Sequence, residues 1–90
     1  MKLQPTRDAL AFLLRLDAKR FKQVTAKMLS LLADPLPPDS SALKGYDDLR
    51  RADIGEFRII YRVADDTVFV ELIGRRNDDA VYKELERKQG

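Results

Sequence analysis

Arginine is the residue type in this sequence whose number and spacing best support chemistry. Five arginines lie near the ends of consecutive apolar runs in the second half of the chain: Arg51, Arg58, Arg62, Arg75 and Arg76. If those runs are antiparallel strands joined by short turns, the five positions come close together. A guanidinium group donates two parallel hydrogen bonds to a pair of anionic oxygens, so the cluster indicates phosphate recognition. The alternative is a solvated surface on which the arginines pair with nearby carboxylates, namely Asp53, Glu56, Glu71 and Asp78.

The composition restricts what else a site can use. The chain has no histidine and no cysteine, so the usual general base at neutral pH, the commonest metal ligand and a thiolate nucleophile are all missing. Three carboxylate pairs, Asp47-Asp48, Asp65-Asp66 and Asp78-Asp79, raise the possibility of a two-metal nuclease. Neighbouring side chains on an extended chain point apart, and aspartate is favoured in turns and caps for local reasons. We therefore expect turn and cap residues, no metal and no small-molecule cofactor.

Length and charge indicate one small domain, residues 1–90. A chain of this size buries only roughly 60 to 65% of the surface that its unfolded form exposes, so a partner that completes the core is plausible. The net charge is +2, from 17 Lys and Arg against 15 Asp and Glu, and does not by itself indicate a nucleic-acid-binding protein. Without a run of about 20 apolar residues or a signal-peptide pattern, we expect a cytoplasmic protein that does not enter a membrane.

Two helical patterns precede the arginines. Thr6 is a plausible N-cap for a first helix that carries Leu10, Leu13 and Leu14. Asp17 caps a second helix, which Asp34-Pro35 ends. Its apolar residues recur at helical spacing: Phe21, Val24, Met28, Leu31 and Leu32. Two helices joined so tightly predict a helical hairpin that covers one face of a sheet.

Strands follow a turn-rich segment, residues 34–48, which we predict to be a loop. In the run 57–63, Phe57, Ile59, Tyr61 and Val63 alternate with Arg58 and Arg62, which indicates one packed face and one polar face that carries arginines. Runs 49–54, 57–63 and 68–73 predict an antiparallel meander. Residues 1–5 suit an edge strand or an unpaired arm, and Asn77, Asp78 and Asp79 offer N-caps to a short C-terminal helix. The predicted class is α+β, an N-terminal helical hairpin packed on a meander sheet.

Two parts of the sequence resemble the signatures of the RelE/ParE toxin superfamily. Leu43–Arg51 with Gly55–Tyr61 resembles the central signature, and Gly74–Tyr82 resembles the C-terminal one. The likeness spans nearly the whole chain and implies a RelE-like fold. It also implies the toxic half of a type II toxin–antitoxin module, with a cognate antitoxin as partner. RelE-type members cut messenger RNA in the ribosomal A site without a metal, whereas ParE-type members share the fold and poison DNA gyrase.

The resemblance also implies roles for particular residues. RelE-type enzymes use basic residues on the sheet, an arginine at the end of the last strand and a tyrosine on the terminal helix, and ParE-type members commonly lack the full set. By motif position, the catalytic residues implied here are Arg51, Arg58, Arg76 and Tyr82. The residues implied to bind RNA phosphates are Lys44, Arg50, Arg62 and Arg75. The resemblance thus favours an endoribonuclease whose partners are the ribosome and mRNA, although Tyr82 has the alternative role of packing the helix on the sheet.

The chain departs from the family pattern on the strand before Gly55. Leu49 stands where another RelE-type enzyme has lysine, and Asp53 is expected to share a face with Arg51 and neutralise it. Arginine and tyrosine side chains ordinarily titrate far above neutral pH, so they are poorly matched to acid–base catalysis at pH 7. We therefore expect slow cleavage by the protein alone, with the ribosome contributing by positioning the message.

Overall fold

The predicted α+β architecture is present in the part of the chain that the computed structural model describes, residues 1–77 and 80–89. The elements are β1 (Lys2–Pro5), α1 (Arg7–Leu14), α2 (Ala18–Ala33), β2 (Ser40–Ala42), β3 (Arg50–Ile54), β4 (Phe57–Ala64), β5 (Thr67–Arg75) and α3 (Ala80–Gln89). The described strands form one mixed sheet in the order β1-β5-β4-β3-β2. Asp78 and Asp79, predicted as caps of α3, lie outside the described residues.

The meander of β3, β4 and β5 is antiparallel as predicted, and two further strands extend it. β1 lies at the edge and pairs in parallel with β5, a place that tolerates Pro5 because an edge strand has a free side. β2 lies inside the segment predicted to be a loop and pairs with β3. The Ser40 and Ser41 hydroxyls accept hydrogen bonds from Arg50 and Arg51, so contacts with a distant strand support a segment that local signals assign to turns.

Both helices of the hairpin start at the predicted caps. The Thr6 Oγ1 accepts a hydrogen bond from the Ala9 N–H, and an Asp17 carboxylate oxygen accepts one from the Arg20 N–H, which satisfies otherwise free donors of each first turn. The buried residues of α1 are Ala9 and Leu13. Leu10 and Leu14, which the helical spacing also selected, are exposed on the outer side of the hairpin.

The main core lies between the hairpin and one side of the sheet, here called the hairpin face. The sheet contributes Ala52, Phe57, Ile59, Tyr61, Val68, Val70 and Ile73, and the helices contribute Ala9, Leu13, Val24, Met28 and Leu31. Tyr61 is fully buried as predicted, and its hydroxyl donates to the Pro35 carbonyl oxygen at 2.7 Å. Val63, predicted on this face as well, is exposed at the end of β4.

The opposite side of the sheet, here called the α3 face, is not only polar. It carries a second apolar cluster of Leu43, Leu49, Ile60, Leu72 and Leu85, against which Tyr46 and Tyr82 pack. The prediction of one polar face was therefore incomplete, because α3 docks its Leu85 there and needs an apolar partner surface.

A bulge at Glu71 in β5 decides which residues reach each face. Ile60 pairs with Leu72 and Tyr61 pairs with Val70, so Glu71 is the extra residue. The Thr6 hydroxyl donates to the Glu71 carbonyl oxygen at 2.7 Å and holds the bulge. Beyond it the alternation is reversed, which places Leu72 on the α3 face and Ile73 and Arg75 on the hairpin face.

Candidate functional site: an arginine–tyrosine cleft on the α3 face

The turn between β3 and β4 sets the register of the site. Ile54 pairs with Phe57, so the turn consists of Gly55 and Glu56, and Asp53 lies directly opposite Arg58. Gly55 has φ of +57°, and an added Cβ would lie 2.7 Å from the Gln23 side-chain nitrogen. A residue with a side chain would therefore be strained there. This short turn fixes an acidic and a basic side chain on the same face as neighbours across two strands.

Arg58 is the residue that connects the other groups of the site. Its Nε donates to Asp53 Oδ1 at 2.7 Å and its Nη2 donates to Asp53 Oδ2 at 3.1 Å, which forms a two-pronged ion pair. Its Nη1 donates to the Tyr82 hydroxyl, and the guanidinium carbon lies 5.7 Å from the Tyr82 ring centroid. Asp53 of β3 and Tyr82 of α3 thus hold one guanidinium group from two sides.

Burial distinguishes Arg58 from the surface arginines. Its side chain is 11% exposed, whereas those of Arg75 and Arg76 are 52% and 47% exposed. The hydrogen bond with Asp53 raises the pKa of Arg58, although burial opposes the shift. In return, the Arg58 hydrogen bond lowers the pKa of Asp53, with further lowering by Arg76 and Arg51 and opposition from burial. The centre of the site is therefore a fixed cation next to a fixed carboxylate.

Arg76 approaches the same carboxylate from the end of β5. Its Nε lies 3.7 Å from Asp53 Oδ2, and its Nη1 donates to the Gly55 carbonyl oxygen at 3.3 Å. The Arg76 backbone N–H donates to the Glu56 carbonyl oxygen at 2.9 Å, so the turn that carries Gly55 also fixes the start of the segment after β5.

An open cleft of about 330 Å³ lies beside this group. Its lining residues are Ala42, Leu43, Lys44, Arg51 and Tyr82. Arg51 donates from Nε to the Ser41 hydroxyl at 3.0 Å. Asp53, which the sequence paired with Arg51, instead makes its ion pairs with Arg58 and Arg76. The register across the two-residue turn is the reason, because it places Arg58 directly opposite Asp53.

Two of the arginines predicted at the site lie on the hairpin face instead. Arg50 pairs across the sheet with Tyr61, and its Nη2 donates to the Ser40 hydroxyl at 2.9 Å. Arg75 forms an ion pair with Glu56, and its guanidinium carbon lies 5.4 Å from the Phe57 ring centroid. The bulge at Glu71 explains the second case, because regular alternation would have put Arg75 beside Arg58.

Arg62 lies on the α3 face but outside the cleft. It is four residues from Arg58 along the same strand, a separation of about 13 Å. Its Nε donates to Glu71 Oε1 at 2.9 Å, and its guanidinium carbon lies 4.0 Å from the Phe69 ring centroid. The solvated alternative for the cluster thus describes Arg62 and Arg75. Lys44, Arg51 and Tyr82 line the cleft, and Arg58 and Arg76 lie next to it through their contacts with Tyr82 and Asp53.

A larger cavity of about 540 Å³ lies at the other side of α3, between α1 and the last residues of β5. It is lined by residues of both helices and the strand, including Phe12, Arg15, Ile73 and Arg87. Within residues 1–77 and 80–89, no group of three or more acidic side chains is arranged to hold a metal ion. None of the described helices is long and apolar enough to cross a membrane.

Sequence reasoning named Glu56 as a possible partner of the arginines but missed its contact with α2. Its carboxylate accepts hydrogen bonds from Arg20 of α2 and Arg75 of β5, so it connects the turn between β3 and β4 to α2 and to β5. The two-residue turn was a usable signal for the Asp53–Arg58 pair, because it pairs Ile54 with Phe57 and so places the next residue outward on each strand in register. No local signal marks the contact of Glu56 with Arg20, which is 36 residues away.

The fold is similar to that of several solved toxins. The isolated E. coli RelE toxin aligns with a TM-score of 0.73 and 24% identity, covering 99% of this chain and 98% of that chain. RelE in the archaeal RelE–RelB complex from Pyrococcus horikoshii OT3 aligns with a TM-score of 0.73 and 23% identity, covering 83% of this chain and 93% of that one. A chain of the RelBE2 toxin–antitoxin complex from Mycobacterium tuberculosis aligns with a TM-score of 0.72 and 22% identity, covering 83% of this chain and 96% of that chain.

These alignments and the arrangement of strands show a RelE-like fold, as the sequence predicted. The family model for the ParE toxin of the type II toxin–antitoxin system parDE matches residues 3–80. The chain belongs to this family and is the toxin of a type II toxin–antitoxin module. No curated protein sequence matches it.

Proposed function

We propose that this toxin is a ribosome-dependent, metal-independent endoribonuclease that cleaves mRNA in the A site and thereby inhibits translation. The observation that carries the proposal is the convergence of Arg58, Arg76 and Tyr82, from β4, the end of β5 and α3, beside a cleft lined by Arg51 and Lys44. Fixed cations around a phenol, next to an open space, suit the binding of a phosphodiester.

The reaction we propose is attack by a ribose 2′-oxygen on the adjacent phosphorus. The new oxygen–phosphorus bond closes a 2′,3′-cyclic phosphate, and the bond to the 5′-oxygen breaks to leave a 5′-hydroxyl. The transition state carries extra negative charge on the phosphoryl oxygens. Arg58 and Arg76 hold positive charge where that charge develops, an effect typically worth a few kcal/mol per donor. Arg51 and Lys44 bind the flanking phosphates.

The proton transfers are the demanding part. The 2′-hydroxyl proton must leave and the departing 5′-oxygen must gain a proton. Tyr82, whose hydroxyl accepts a hydrogen bond from Arg58, either takes part in these transfers or stacks on a base. Arg58 stays protonated, since Asp53 raises its pKa, and is therefore an electrostatic stabiliser. Arginine and tyrosine ordinarily titrate far above neutral pH, so the ribosome contributes by holding the message in a reactive geometry.

We propose that a cognate antitoxin protein binds this toxin and blocks the cleft. RelE chains similar to this one are found in complexes with RelB antitoxins. The hairpin exposes apolar side chains on the side of the sheet away from the cleft, so an antitoxin that covers them must extend to the α3 face to block the cleft. These side chains are Leu10, Leu14, Phe21 and Leu29. Acidic residues of the antitoxin would pair with the arginines. Because ribosomes and mRNA are the proposed target, the proposed location is the cytoplasm.

A second candidate function follows from the family match. The matching model describes ParE toxins, and ParE-type members poison DNA gyrase. In that case the protein is a non-enzymatic inhibitor, and the arginines of the cleft recognise a protein surface.

Primer extension on a defined message in a purified translation reaction tests the first function against the second. The nuclease predicts new 5′ ends at A-site codons, lost with Arg76→Ala or Tyr82→Ala. An intact message together with gyrase–DNA cleavage complexes would select the second candidate. Equal cleavage of naked and ribosome-bound RNA would reject the ribosome dependence.

A further inference from the structure

The position between the two main arginines of the cleft is already filled by a carboxylate. Both Asp53 oxygens bind the edge of the Arg58 guanidinium, at 2.7 and 3.1 Å, and Arg76 Nε lies 3.7 Å from Oδ2. This is the two-pronged geometry with which a guanidinium group also binds a phosphate. In the free protein Asp53 thus occupies the position that the phosphate needs.

Most of the Arg58 guanidinium group is already engaged by neighbours. Its Nε and Nη2 donate to Asp53 and its Nη1 donates to Tyr82. The side chain is only 11% exposed, while that of Asp53 is 28% exposed. The two-pronged Nε–Nη2 edge of Arg58, which suits a phosphate best, is therefore open only where Asp53 now lies. A phosphate bound at Arg58 beside the Asp53 carboxylate would also be repelled strongly, because the site is partly buried.

We propose that Asp53 is an internal competitor for the RNA phosphate, so that RNA enters the site only by displacing the Asp53 carboxylate from Arg58 and Arg76. This inference rests on the proposed function, since it takes the same cleft as the RNA site. An isolated phosphate gains little by the exchange, because one ion pair replaces another. A message held in place by a ribosome presents its phosphate at a high effective concentration and wins the exchange. Asp53 therefore acts as a specificity-determining residue against free RNA.

Binding of a non-cleavable RNA tests the competitor separately from catalysis. The probe is a fluorescein-labelled single-stranded RNA decamer with 2′-O-methyl groups throughout, measured by anisotropy at fixed salt. Asp53→Asn keeps the side-chain shape and one acceptor oxygen but removes the charge. We expect it to tighten binding at least about fivefold, the effect of releasing one partly exposed ion pair.

Glu71→Gln is the matched control. Glu71 also accepts a hydrogen bond from an arginine on the α3 face, Arg62 at 2.9 Å, and the substitution changes the net charge by the same amount. We expect less than a twofold change. Equal or weaker binding by Asp53→Asn overturns the inference, and so does equal tightening by both variants. If thermal unfolding shows that Asp53→Asn does not fold, Asp53→Ser is judged by the same criterion. If Asp53→Asn binds more tightly but the wild-type protein does not cleave mRNA on ribosomes, the proposed nuclease activity is rejected and the role of Asp53 as a competitor is kept.

Discussion

The two faces of the sheet are built differently, although they share every strand of the meander. Among the described residues the hairpin face buries twelve side chains, and none of them is charged. The apolar cluster of the α3 face buries five and lies beside the buried guanidinium of Arg58. Apolar burial therefore stabilises mainly the hairpin face, whereas the α3 face combines a smaller apolar cluster with a partly buried ion pair. Because side chains alternate along a strand, the neighbours Arg58 and Ile59 point to opposite faces: Ile59 packs in the main core and Arg58 lies at the candidate site.

The largest effect on this comparison is expected from Ile59→Ala. Ile59 is fully buried on the hairpin face, and removal of its branched side chain should lower the free energy of unfolding by about 2 to 5 kcal/mol. Urea denaturation measures the loss. Val63→Ala on the same strand is the control, because Val63 is 37% exposed and should lose much less. A smaller loss for Ile59→Ala than for Val63→Ala would contradict the assignment of the core.

Leu85→Ala sharpens the comparison from the other side. Leu85 is 2% exposed and anchors α3 on the smaller cluster. We expect a loss of unfolding free energy near the lower end of the range for such truncations, about 2 kcal/mol. The cleavage rate should fall far more than the stability suggests, because Tyr82 lies on the same helix. A stability loss greater than that of Ile59→Ala would show that α3 belongs to the main core.

The hairpin face could be predicted from the sequence because its signals are local. Each signal comes from residues within one helix or strand: the caps at Thr6 and Asp17, the helical spacing around Val24 and Met28, and the alternation around Ile59. The α3 face depends on contacts between distant residues. Thr6 holds the bulge at Glu71, and this bulge sends Arg75 away from the site. No pattern in the segment 67–75 alone reveals that reversal.

The site residues were partly predictable for the same reason. Arg58 and Tyr82 could be selected from the motifs, and the turn at Gly55 contained enough information to pair Arg58 with Asp53. Arg50 and Arg62 are arginines like those of the site but lie elsewhere. Arg50 lies on the hairpin face, and Arg62 lies further along β4. Residue type identified the candidates, and register selected among them.

A smaller effect is expected in the dependence of stability on pH. Arg58 lowers the pKa of Asp53 in the folded protein relative to an ordinary aspartate. A carboxyl group with a lowered folded pKa contributes stability that is complete above the unfolded value of about 3.9 and is lost as the pH falls through the folded value. Wild-type protein should therefore lose stability below about pH 4 more steeply than Asp53→Asn.

Urea denaturation of both proteins between pH 7 and pH 2.5 checks this slope. Asp48→Asn, which removes an exposed carboxylate from the loop before β3, is the control and should follow the wild type. Parallel curves for wild type and Asp53→Asn would mean that the ion pair with Arg58 does not form in solution.

Cleavage by two arginine variants of one strand tests most directly whether activity depends on the cleft and not on the α3 face as a whole. Arg58 and Arg62 both lie on the α3 face of β4, but only Arg58 contacts Tyr82 and Asp53. Primer extension on a translated message should show new 5′ ends with wild type and Arg62→Ala, and none with Arg58→Ala that remains folded by thermal denaturation. Full cleavage by Arg58→Ala, or no cleavage by the wild-type protein, would contradict the account.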